Sequence, residues 1–104
     1  MKPTPFKYHD YKQFLKDYMA ENPKKGIKLR MARFAGCDRT YFSQVLNQKA
    51  HLTTDHAFNL SNALNMDESE ETYFLLLVLL GKAGNPNSKA KIRKRMAAIS
   101  EENQ

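Results

Sequence analysis

Along the whole chain, apolar residues recur at helical spacing, and each run is soon closed by a capping or turn-forming residue. Tyr11, Phe14, Leu15, Tyr18 and Met19 form an i, i+3, i+4, i+7, i+8 stripe, with Asp10 as N-cap and Asn22-Pro23 as the stop. The loop Pro23-Lys24-Lys25-Gly26 separates it from a second helix over Lys28 to Ala35, which ends at Gly36. Asp38 caps a third helix running to Asn47. A fourth begins after Thr53 or Thr54 and carries Ala57, Leu60, Ala63 and Leu64 on one face. Asp67 caps a fifth, with Glu70 at the capping-box position, and Gly81 and Gly84 close it. After Asn85-Pro86-Asn87, Ser88 starts a sixth, with Ile92, Met96 and Ile99 at i, i+4, i+7. Period-two alternation is absent and β-branched residues are few, so strands are not expected. The expectation is an all-α fold: one domain over residues 1–104, a bundle of about six helices with short linkers, its C-terminal helices at 67–81 and 88–100.

A chain of 104 residues has room for one small core. Leu, Ile, Val and Phe supply 22 of those residues, just above the level at which disorder becomes the default. Cys37 is the only cysteine, which excludes an internal disulfide framework and a cysteine-based zinc site. The opening Met-Lys-Pro-Thr-Pro is not followed by an apolar stretch, so no secretory signal is visible. The longest apolar run, Phe74 to Leu80, is far short of the roughly 20 residues a membrane helix needs. A cytoplasmic, nucleoid-associated protein without membrane attachment is the expectation.

The net charge of +6 is unevenly placed. Residues 27–49 carry five Lys and Arg against Asp38 alone, whereas residues 50–80 carry five acids and no Lys or Arg. Six more Lys and Arg fall in 81–104, against Glu101 and Glu102. A basic first half, an acidic band and a basic tail suit a protein that lays one face on phosphates and turns another away.

The segment Lys28 to Asn47, KLRMARFAGCDRTYFSQVLN, holds two short helices around a turn containing Gly36. Packing such helices at a steep angle requires a small residue at the crossing, which Ala32 supplies. The turn requires a residue tolerant of positive φ, here Gly36. It also requires inward apolar residues, here Met31, Ala35, Cys37, Phe42 and Val45. With Lys28 counted as place 1, the apolar residues fall at places 4, 8, 10, 15 and 18, the small residue at 5 and glycine at 9. This pattern resembles the Cro/repressor-type (lambda repressor-like) helix-turn-helix. The likeness continues through the loop Gln48 to Thr53 into the helix with Leu60 and Leu64, covering residues 27–70. The opening HDYKQFLKDY and the helix ETYFLLLVLL also resemble a paralogous family from Bdellovibrio and Fibrobacter, whose members add a longer C-terminal region. Departures are Cys37 where Val or Ile is usual, Lys28 in place of a Ser or Thr cap, and the large Phe34 and Tyr41 at places usually exposed. The last two suggest cover by the first helix or by the Phe6/Tyr8 segment.

The resemblance implies sequence-specific binding of double-stranded DNA by a transcriptional regulator, with helix 38–47 in the major groove. Arg39, Thr40, Ser43, Gln44 and Asn47 would then face base edges. Gln44 is suited to adenine and Arg39 to guanine. Lys24, Lys25, Lys28, Arg30, Arg33 and Lys49 would hold the phosphate backbone. Two alternatives are a protein-interaction module re-using the same fold, and nonspecific nucleic-acid binding by the basic segments.

His9, His51, His56 and Cys37 do not place a pair at i, i+4, so no metal site is expected, and no cofactor. The four glycines are isolated, which excludes a phosphate loop, and a core thiol without a cationic neighbour is inert. An enzyme is not expected. Residues 74–80 are apolar all round, which calls either for a central helix covered by its neighbours or for a homodimer interface.

Overall fold

The computed structural model describes residues 3–103. Among them are a 3-10 turn (Pro5–Lys7) and six helices: α1 (Tyr11–Glu21), α2 (Ile27–Ala35), α3 (Arg39–Leu46), α4 (Thr54–Ala63), α5 (Glu68–Lys82) and α6 (Pro86–Glu102). No strand occurs among the described residues, and none of the helices is long and apolar enough to cross a membrane. The fold is an all-α bundle with a radius of gyration of 13.3 Å, close to the ~13 Å expected for a compact chain of this length.

The caps are the residues whose chemistry demanded that place. Asp10 accepts from Lys12 N–H, Asp38 from Tyr41 N–H at 2.7 Å, and Asp67 pairs reciprocally with Glu70. Thr53 caps α4, and the partner in its capping box is the imidazole of His56 in place of the usual Glu or Gln. Three helices end in the same way, with a left-handed residue and a six-to-one backbone bond. Gly36 (φ 87) ends α2, with Cys37 N–H on Ala32 O. Gln48 (φ 66) follows α3, with Lys49 N–H on Gln44 O, and Asn65 (φ 56) follows α4, with Met66 N–H on Ser61 O.

The core runs through all six helices. Phe14 and Leu15, Met31 and Ala32, Phe42 and Val45, Leu60, Phe74 and Leu77 are buried, with Leu52 added from the α3–α4 loop. α5 is the central element, packed against α4, α6, α1 and the 3-10 turn. It is not enclosed on every side: Leu79 is 47 % exposed and Leu75 is half-buried one turn earlier. α6 is fully buried only at Met96, with Ile92 and Ile99 packed beside it and Lys91, Lys94 and Arg95 outward.

Four details differ from expectation. α5 passes through Gly81 to Lys82, because this glycine serves packing: a Cβ there would stand 2.9 Å from the Tyr11 ring. α6 starts two residues early, at Pro86, because Asn85 caps it and proline at the first position loses no helical bond; it also runs past 100 to Glu102. Phe34 is not covered: it remains 40 % exposed, while Phe6 packs on Tyr73 and Tyr8 on Phe14 instead. Cys37 is half-buried at the core's edge, and burial followed by the neighbouring Asp38 raises its thiol pKa.

Two substitutions measure these terms by urea unfolding. Phe74→Ala should cost about 3–5 kcal/mol through the cavity it leaves. Gly36→Ala should cost about 1–2 kcal/mol from the left-handed backbone, and its Cβ would also press to 3.1 Å from Asn59 Nδ2.

Candidate nucleic-acid interface

α3 has two chemically distinct faces. Phe42, Val45 and Leu46 point into the core and are buried. Arg39, Thr40, Gln44 and Asn47 are exposed, whereas Ser43, expected with them, is half-buried. These five positions fall at i, i+1, i+4, i+5 and i+8, which is one side of a helix about two turns long. Asn47 is the C-cap, with its backbone N–H on Ser43 O and its side chain outward.

The expected phosphate contacts surround this pair of helices. Lys24 and Lys25 are exposed on the loop before α2, Arg30 and Arg33 are exposed on α2, and Lys49 is exposed just beyond α3. Lys28 is half-buried and is the least free of the set. Gly26 precedes α2 in a left-handed conformation (φ 74), and no side chain caps the helix. The missing Ser or Thr cap thus leaves first-turn amides without a side-chain acceptor, beside two lysines, as suits a phosphate oxygen. Among the described residues none of these cations has an ion-pair partner.

What holds α3 in place was not anticipated. The hydroxyl of Tyr11, a buried residue on α1, accepts from Leu52 N–H at 3.2 Å and lies 2.9 Å from His51 Nδ1. The Tyr11 hydroxyl thus bridges the Leu52 amide and the His51 ring. Burial above all pushes the Tyr11 pKa up to about 12. Lys12, buried next to it, donates from Nζ to Ala50 O at 2.8 Å. Tyr41 of α3 donates to His51 O, and its ring lies 5.6 Å from that of His56. Residues 50–52 are therefore bound to α1 on one side and to α3 on the other. Asn59 of α4 completes the frame by donating to Ala35 O at the end of α2, 3.0 Å away.

Part of this was detectable in the sequence. Lys12 lies on the edge of the apolar stripe of α1, three residues before Leu15, where a buried stem is unsurprising. The Tyr11–His51 pairing spans forty residues and has no local signal. Among the described residues, no three His, Cys, Asp or Glu side chains form a group that could hold a metal ion.

Tyr11→Phe removes the acceptor of a buried amide and should cost about 1–3 kcal/mol in urea unfolding, with the helix content unchanged. A second outcome concerns pH. Burial, followed by Lys12 and Lys82, lowers the His51 pKa. The unfolded chain therefore binds the proton more readily, and this contribution to stability is present above about 6.5 and lost as pH falls through the lowered value. The urea midpoint should drop between about pH 7.5 and 5.5, and His51→Gln should flatten that slope. Comparison of the chain with protein-family models, with curated proteins and with solved structures finds no match.

Proposed function

We propose that this protein binds double-stranded DNA sequence-specifically, as a transcriptional regulator, with α3 in the major groove. The observation that carries this reading is the outward side of α3. Four neighbouring exposed side chains there can hydrogen-bond to base edges, on a short helix whose opposite side is locked into the core. Between the Asp38 cap and the Asn47 C-cap, Arg39 is the one charged residue of α3, and Thr40 and Gln44 are its exposed uncharged polar ones. The unpaired cations around α2 supply the sequence-independent part of binding. The resemblance of residues 27–70 to the lambda repressor-like helix-turn-helix supports the same orientation.

A specific observation favours a homodimer. Phe58 of α4 and Leu79 of α5 are 46 % and 47 % exposed, and both line an apolar depression of about 140 Å³ with Leu75 and Val78. Projecting apolar side chains beside an apolar hollow are self-complementary across a two-fold axis. The face lies in the acidic band, where a polyanion is repelled. Two copies joined there would read two half-sites. The exposed Leu79 and half-buried Leu75 support an interface on that side of helix 74–80 together with α4.

Selection from a random duplex pool should enrich a motif. On the enriched site Gln44→Ala or Arg39→Ala should cost about 1–3 kcal/mol and relax preference at one position. Lys24→Ala or Lys49→Ala should weaken all duplexes alike and shallow the salt dependence. Failure of any sequence to outcompete bulk DNA would reject the reading. Light scattering at micromolar concentration should give twice the 12.0 kDa chain mass, and Leu79→Glu should return it to one. A monodisperse single-chain mass for the parent protein contradicts the dimer.

A further inference from the structure

A second cationic feature lies away from the α3 surface, in a cleft of about 290 Å³ where the start of α1, the α3–α4 loop, the end of α5 and the first half of α6 meet. Lys12, Gln48, His51, Lys89 and Arg93 line it. Lys12 is 2 % exposed; its ammonium donates to Ala50 O and lies 5.8 Å over the Tyr11 ring, with no ion-pair partner among the described residues. Lys89 and Arg93, one turn apart on α6, have no ion-pair partner among the described residues. The single acid on the wall, Asp10, is engaged through Oδ1 with the N–H of Lys12 as the cap of α1. The His51 ring also lines the cleft, with Nδ1 paired to the Tyr11 hydroxyl. Lys12, Lys89 and Arg93 thus face Asp10 as the single acid of the cleft, an excess of positive charge that an anion would offset.

Next to this cleft is a cavity of about 340 Å³ that shares His9 and Arg93 as walls. Its other walls are different in kind: Phe6, Tyr73 and Met96, followed by Ser100 and Glu101. Ser100 lies two turns beyond Arg93 on α6, about 10 Å away. A ligand that places an oxyanion among Lys12, Lys89 and Arg93 could thus extend an apolar ring over Phe6 and Met96. Its own donors would meet Ser100 and Glu101.

We propose that these two cavities form one binding site for a small phosphate ester bearing an aromatic group, of the nucleoside monophosphate class. The phosphate sits in the cationic cleft and the ring in the aromatic cavity. Together the cavities fall in the range that holds small organic ligands, about 300–1,000 Å³. The site does not depend on how α3 is used. Its floor, however, is the loop that fixes α3, so occupancy would be felt there.

The test is calorimetric titration of the full chain, free of DNA, with adenosine monophosphate and with inorganic phosphate. The nucleotide should bind at least tenfold more tightly than phosphate. Lys89→Ala and Arg93→Gln should each weaken nucleotide binding tenfold or more, and Lys94→Ala, exposed on the same helix, should leave it unchanged. Absence of nucleotide binding at millimolar concentration overturns the site. Equal affinity for phosphate and nucleotide overturns the aromatic half, and an equal loss in Lys94→Ala reduces the effect to general charge. Displacement of the nucleotide by a short duplex would give the cleft to a DNA backbone phosphate and overturn the small-ligand assignment.

Discussion

The hydroxyl of Tyr11 is the contact on which the arrangement of α3 depends. It accepts the amide of Leu52 and faces His51 Nδ1, while Lys12 from the next position takes Ala50 O. Three consecutive residues of the α3–α4 loop are thus tied to α1, and Tyr41 ties the same loop back to α3. Space for the Tyr11 ring is made by Gly81, where a Cβ would stand 2.9 Å from a ring carbon. In a bundle whose α3 is only eight residues long, propensity alone does not hold that helix in register. Its buried Phe42, Val45 and Leu46 and the polar bonds at its base do so, and leaving the buried Leu52 amide without its acceptor is costly.

The distribution of charge follows from this frame. The end of α2, the turn at Gly36 and the inner side of α3 are consumed by packing, which leaves polar residues and cations outward. The acids of residues 50–80 serve other ends. Asp67 and Glu70 cap α5, and Glu71 accepts from the buried Ser61 hydroxyl at 2.5 Å. Phe58 and Leu79 are the exposed large apolar residues within the stretch 50–80, which carries five acids and no Lys or Arg. The proposed DNA and dimer surfaces would be kept apart by sign.

Element order and type were legible because five of the six helices are bounded by a residue with one dominant use: Asp10, Asp38, Thr53 and Asp67 at the starts, Gly36 at a stop. The limits of α5 and α6 were less so, since glycine and proline each have two meanings. Gly81 looked like a terminator and is a packing glycine, while Pro86 looked like a breaker and is a first-turn residue. Gln48 and Asn65 adopt positive φ without being glycine, so the ends of α3 and α4 carried no strong signal. Outward residues on α3 could be read from period alone, apart from Ser43, whose half-burial depends on neighbours. The loop network could not, because it joins positions about forty residues apart. Pairings of that kind are decided by tertiary packing.

The most direct test of α3 as the DNA-reading element is amide chemical-shift mapping of the labelled protein with a short duplex at moderate salt. The largest perturbations should fall over Arg39 to Asn47 and at the start of α2, near Gly26 to Leu29. Perturbations confined to α6, or to the Phe58–Leu79 face, with α3 silent, would contradict that role for α3.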